Sequence, residues 1–86
     1  MAHEMMRLVM TATLDDLKRL IVRTGLSPQT ADRLDPAVPL TRQGVDSIAH
    51  PLFILAVEER FGVHVSEEQA LTLRTLDDFM AMLNMA

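Results

Sequence analysis

Three prolines, Pro28, Pro36 and Pro39, stand between Gly25 and Asp46 and rule out one continuous helix through the middle of the chain. Proline lacks an amide hydrogen and its ring collides with the carbonyl four residues back. Long helices must therefore lie on either side of this interval, with room inside it for one short piece. Ser27 followed by Pro28 predicts that piece, capped by the serine and running from Pro28 to about Leu34. A connection of this length in a small domain is ordinarily ordered by packing, so Leu26, Leu34, Val38 and Leu40 are expected to fold back onto the helices.

The flanks carry helical punctuation. Thr13-Leu14-Asp15-Asp16 reads as a cap with an acidic first turn, and Leu14, Leu17, Leu20, Ile21 and Thr24 follow at three- and four-residue intervals, giving a first helix that ends at Gly25. Its other face, with Asp15, Lys18, Arg19 and Arg23, reads as solvated. Downstream, Gly62 stops a second helix and Val63-His64-Val65 is an extended connector. Ser66-Glu67-Glu68-Gln69 has capping-box spacing and opens a short third helix to about Leu71 or Thr72. Thr75-Leu76-Asp77-Asp78 repeats the signature, and Leu76, Phe79, Met80 and Leu83 form the buried stripe of the last helix. His64 is assigned a structural role, and Met80, Met82 and Met85 are gap-fillers. Residues 1–12 are methionine-rich and are expected either to fray or to extend the first helix, and His3 has no second metal ligand at helical spacing. The expected fold is all-α: one domain over residues 1–86, a small four-helix bundle with a long first connection and a short third helix.

Bulk properties narrow the function. Eighty-six residues allow one core and no deep cleft. Trp and Tyr are absent and Phe occurs three times, so Leu, Val, Ile and Met must fill the interior, which favours helices over a β-sandwich. With no Cys there is neither a disulfide frame nor a thiolate zinc site. Twelve acidic against eight basic residues, a net charge of -4, argue against nucleic acid as a partner. No apolar stretch approaches the roughly 20 residues of a membrane span, and Glu4 and Arg7 break up any apolar signal-peptide core. A soluble, cytoplasmic monomer without bound metal is expected.

Helix two has two apolar sides. At about 100° per residue, His50, Phe53, Ile54, Val57 and Phe61 fall on one, while Ile48, Leu52, Leu55 and Glu59 fall nearly opposite. One side belongs to the core. The other is either covered by the loop from 26 to 40 or is a docking face for partner proteins. Pro51 lies in the first or second turn, so regular helix begins near His50 or the first turn is distorted.

Between the proline-spaced interval and this apolar run stands Gly44-Val45-Asp46-Ser47-Ile48. Gly44 permits a tight turn, Asp46 can cap the first N–H groups of the helix, and Ser47 is then an exposed hydroxyl at the helix mouth. Together with Val57-Glu58-Glu59-Arg60-Phe61-Gly62-Val63 and Leu73-Arg74-Thr75-Leu76-Asp77-Asp78-Phe79, the pentapeptide resembles the acyl carrier proteins from about Leu40 to Leu83. The resemblance implies that a transferase moves 4'-phosphopantetheine from coenzyme A onto Ser47, that Asp46 caps the helix and helps to place the transferase's Mg²⁺, and that the thiol of the arm carries an acyl group as a thioester. Partners are then the phosphopantetheinyl transferase and acyl-activating, acyltransferase or synthase enzymes of lipid or secondary-metabolite synthesis. The carrier itself is not an enzyme.

Two departures from the family pattern, Gln43 where a leucine or methionine is usual and Ala49-His50-Pro51-Leu52 where acidic residues are usual, point to a specialised carrier. Its partner contacts are expected at Ile48, Leu52, Leu55, Glu58 and Glu59, and a cavity for the acyl chain would be lined by Phe53, Ile54, Val57, Leu76 and Phe79. An aminoacyl or peptidyl carrier and an unmodified helical interaction module stay open as alternatives. Asp46, Ser47 and His50 contain the side-chain types of a hydrolytic triad, but adjacent positions on one stretch of chain do not supply its geometry.

Overall fold

The structure, a computed structural model, describes residues 12–85. The expectation for the N-terminal segment therefore lies outside the described residues except at Ala12, which is buried and held at both its backbone groups by Asn84. The Ala12 N–H donates to Asn84 Oδ1 at 2.8 Å, and Asn84 Nδ2 donates to the Ala12 carbonyl at 3.0 Å.

Among the described residues there are five α-helices and no strand. Helix α1 spans Leu14–Val22, α2 Pro28–Asp32, α3 Ala49–Phe61, α4 Glu67–Thr72 and α5 Leu76–Met85, with a 3-10 turn at Leu40–Gln43. The caps sit where local chemistry puts them. Thr13 and Ser66 each close a capping box, with Asp16 and Gln69 as the reciprocal partners. Ser27 accepts from the Thr30 N–H with Pro28 beside it in the first turn. The short helix in the connection stops at Asp32, two residues before Leu34. Gly62 ends α3 in the left-handed region at φ 67°, and its N–H donates to the Glu58 carbonyl at 2.9 Å.

The core is one cluster in which Leu17, Ile21, Leu40, Val45, Phe53, Val57, Leu76 and Phe79 are wholly buried. Each such side chain contributes about 1.5–3 kcal/mol relative to exposure. Helix α1 packs against α2, α3 and α5. The long connection does fold back: Leu34 and Leu40 are buried, and Leu26 packs against the cluster. Two main-chain hydrogen bonds tie it to the start of α5, Leu40 N–H to the Arg74 carbonyl at 2.8 Å and Asp77 N–H to the Pro36 carbonyl at 3.0 Å. Gln43 fastens the connection to itself. Its Oε1 accepts from the Asp35 N–H at 2.8 Å, and its Nε2 donates to the carbonyls of Asp35 and Val38 at 3.0 and 2.9 Å.

Asp78 closes the first turn of α5. Its Oδ2 accepts from the N–H groups of Arg74 and Thr75, both at 3.0 Å, while its own N–H donates to Thr75 Oγ1 at 3.0 Å. Partial burial works against ionisation, but the two N–H donors, the Thr75 side chain and the Arg74 charge outweigh it and hold the carboxyl below its ordinary value. A lowered folded-state pKa means the charged form stabilises the fold. That contribution is complete above the ordinary carboxylate range and is lost as pH falls through the lowered folded-state value. The stability difference between the native chain and Asp78→Asn, measured by urea unfolding, is expected to be largest near neutrality and to shrink in acid. An equal difference at both pH values would contradict the assignment.

Candidate functional site

Two core anchors present the serine. Leu40, wholly buried, opens the 3-10 turn, and its carbonyl accepts from the N–H of Gly44 and, at 3.2 Å, from that of Val45. Gly44 adopts φ 96°, where a side chain would be strained, and this reversal drops Val45 into the core, also wholly buried. The next three residues, Asp46, Ser47 and Ile48, are exposed, before the chain turns back in at Ala49.

Asp46 caps the turn into α3. Its Oδ1 accepts from the N–H groups of Ile48 at 3.0 Å and Ala49 at 2.7 Å, and its carbonyl accepts from the His50 N–H at 3.0 Å. Ser47 thus opens a single closed turn. Pro51 cannot continue the pattern, because it has no N–H to return to the Ser47 carbonyl. Regular helix begins at Ala49, with Ile48 as its N-cap, which agrees with the first of the two expected effects of Pro51, a start near His50.

Among the described residues none hydrogen-bonds the Ser47 hydroxyl. The chain's other two serines differ: Ser27 Oγ accepts from Thr30 N–H and donates to Thr30 Oγ1, and Ser66 Oγ accepts from Gln69 N–H. Beside Ser47 lies a hollow of ≈ 210 Å³ whose walls include both its chain neighbours, Asp46 and Ile48. An exposed hydroxyl without a partner among the described residues, next to open space, fits a covalently attached group.

His50 faces away from the serine. Its Nε2 lies 2.9 Å from the Leu73 carbonyl, and because a carbonyl only accepts, that nitrogen carries the hydrogen. The ring also meets the edge of Phe79, with centroids 6.2 Å apart. His50 therefore ties α3 to the segment between α4 and α5, while the Asp46 carboxylate is engaged with main chain. The three side-chain types of a triad are present without a proton relay among them.

The second side of α3 is open to solvent. Ile48, Leu52 and Leu55 are 72%, 46% and 50% exposed, and Glu59 continues the row as an exposed charge. The loop covers the core and leaves this face bare. Glu58 turns inward instead: its Oε2 accepts from the Val65 N–H at 2.7 Å and lies 3.5 Å from His64 Nδ1. The residues expected around an acyl chain form the centre of the core. Phe53, Val57, Leu76 and Phe79 are wholly buried, Ile54 is half-buried against them, and the Phe53 and Phe79 rings meet edge to face at 4.8 Å. Sequence reasoning missed the anchoring role of Val45; its signal was a lone β-branched apolar residue between Gly44 and Asp46.

Fold and site together define a small helical domain that presents an exposed serine hydroxyl, unbonded among the described residues, at the mouth of a helix. Residues 15–83 match the family described as "Phosphopantetheine attachment site". Over 63 residues the chain is 30% identical to acyl carrier protein 2, chloroplastic, of Arabidopsis thaliana, an alignment covering 73% of this chain and 46% of that protein. The chain thus matches less than half the length of this relative. No solved structure matches. The chain belongs to the acyl carrier protein family, whose prosthetic group is a covalently attached 4'-phosphopantetheine. No helix among the described residues is long and apolar enough to cross a membrane.

Proposed function

We propose that this chain carries acyl intermediates as thioesters on 4'-phosphopantetheine joined to Ser47, and delivers them to a small set of enzymes in lipid or secondary-metabolite synthesis. The observation that carries the proposal is the Ser47 hydroxyl, exposed and without a partner among the described residues, held between buried Val45 and the turn capped by Asp46. In the attachment step the Ser47 oxygen bonds to the pantetheine-linked phosphorus of coenzyme A. The pyrophosphate bond to the nucleotide breaks, the nucleotide leaves with its phosphate, and the hydroxyl proton passes to a base of the transferase. When bound, the group supplies a terminal thiol that holds an acyl chain as a thioester.

The chain's own residues present and orient. Val45 and Leu40 fix the turn in the core. Asp46 uses Oδ1 for the cap, which leaves Oδ2 to meet the Mg²⁺ of the transferase. Partner enzymes are met through Ile48, Leu52 and Leu55, with Glu59 at the far end of the row; the uncharged first turns of α3 favour apolar contact and a specialised set of partners. Glu58 contributes less to docking, because its carboxylate is engaged with Val65 and His64.

A transferase assay separates the apolar contact from the charged one. Leu52→Asp is expected to slow modification of Ser47 about tenfold or more, the loss that about 1.4 kcal/mol of binding would cause. Glu59→Lys is expected to change the rate less than threefold, about 0.6 kcal/mol, as for a charge at the rim of an interface. The opposite ranking would overturn the apolar docking face.

A further inference from the structure

The hollow beside Ser47 lies between the end of α1 and the entrance to α3, with Thr24, Gly25 and Leu26 on one side and Gly44, Asp46 and Ile48 on the other. We propose that this hollow is a resting site for the proximal part of the phosphopantetheine arm, the portion bearing the geminal methyl groups and the first amide. The inference rests on Ser47 being the attachment residue.

Three observations carry it. The first is position: the chain neighbours on both sides of Ser47 are walls of the hollow, so the serine stands next to it in the chain. The second is that the chain leaves the space open. Gly25 and Gly44 both line it, both have positive φ (106° and 96°), and a Cβ built on either would meet nothing within 4 Å. The two turns need glycine for their backbone conformation, and the missing side chains leave the hollow unfilled.

The third is chemistry. Leu26 and Ile48 offer apolar surface to the geminal methyls. Thr24 Oγ1 donates its hydrogen to the Ile21 carbonyl at 2.7 Å, so towards anything else it is an acceptor, suited to an amide N–H. Capacity fits a part of the arm: ≈ 210 Å³ equals the liquid volume of roughly seven waters. That is room for one segment, and the thiol end remains outside for partner enzymes. Phe53, Val57, Leu76 and Phe79, by contrast, are wholly buried in the core.

The test is amide and methyl NMR on the isotope-labelled full chain before and after loading with coenzyme A, Mg²⁺ and a transferase, with intact mass confirming the loading. Expected are shifts at Thr24, Gly25 and Leu26, more than twenty residues from Ser47 in sequence, and nuclear Overhauser contacts from the geminal methyls to the Leu26 methyls. Ile48→Asp, at a side chain 72% exposed and therefore dispensable for folding, is compared only after intact mass shows complete loading, because Ile48 also belongs to the face that meets the transferase; the loaded variant is expected to show weaker contacts while the remaining spectrum stays dispersed. Full loading with Thr24–Leu26 unmoved and no such contacts would overturn the resting site and leave the carrier function intact. Absence of added mass would overturn the carrier function and this inference with it.

Discussion

Replacing Phe79 with alanine will lower the stability of the domain by about 3–5 kcal/mol, the usual cost of deleting a buried aromatic ring. Small domains are stable by on the order of 5–15 kcal/mol in total, so the variant loses a large share. The reason is specific to this ring. Phe79 is wholly buried, it packs edge to face on Phe53 at 4.8 Å, and it walls the His50 ring, whose Nε2 holds the Leu73 carbonyl. Truncation leaves a cavity, removes an aromatic pair worth about 0.5–1.5 kcal/mol and frees the histidine that ties α3 to the segment before α5. Phe79→Leu keeps an apolar side chain in place and is expected to cost less. Urea unfolding checks both variants: the midpoint should fall with the slope unchanged. A loss for Phe79→Ala below about 1 kcal/mol would mean that this ring is not central to the core.

The parts of this fold that could be read from the sequence are those determined within a few residues. Thr13, Ser27 and Ser66 cap helices because a hydroxyl three residues before an available N–H needs no tertiary help. Gly62 stops α3 for an equally local reason. The two apolar sides of α3 followed from angular position alone, and buried Phe53, Val57 and Phe61 against exposed Ile48, Leu52 and Leu55 reproduce them.

Contacts between distant parts of the chain left no local pattern. Asn84 grips Ala12 across 72 residues, and His50 reaches a carbonyl 23 residues away. Gln43 stood out as a departure from the family pattern, but its work, three hydrogen bonds to the Asp35–Val38 segment, depends on a loop path that letters do not encode. The 3-10 turn at Leu40–Gln43 is too short to show a period. Glu58 and Glu59 are neighbouring charges in sequence, yet one position of rotation on the helix sends Glu58 inward to the Val65 N–H and leaves Glu59 in solvent. At the candidate site, the exposure of Ser47 and the cap made by Asp46 were legible, and the burial of Val45 before them was not.

The three serines allow the central claim to be tested without reference to any partner. Ser27 and Ser66 cap helices with their hydroxyls, so their replacement by alanine should cost about 1 kcal/mol of stability each. Ser47 is exposed and none of the described residues bonds its hydroxyl, so Ser47→Ala should change stability by no more than about 0.5 kcal/mol. For modification the ranking reverses. The decisive measurement is the intact mass of the native chain and of the three single variants after incubation with coenzyme A, Mg²⁺ and a phosphopantetheinyl transferase. The account predicts one added phosphopantetheine on the native chain, on Ser27→Ala and on Ser66→Ala, and none on a folded Ser47→Ala. Addition to Ser47→Ala, or none to the native chain while the transferase modifies a control carrier, would contradict it.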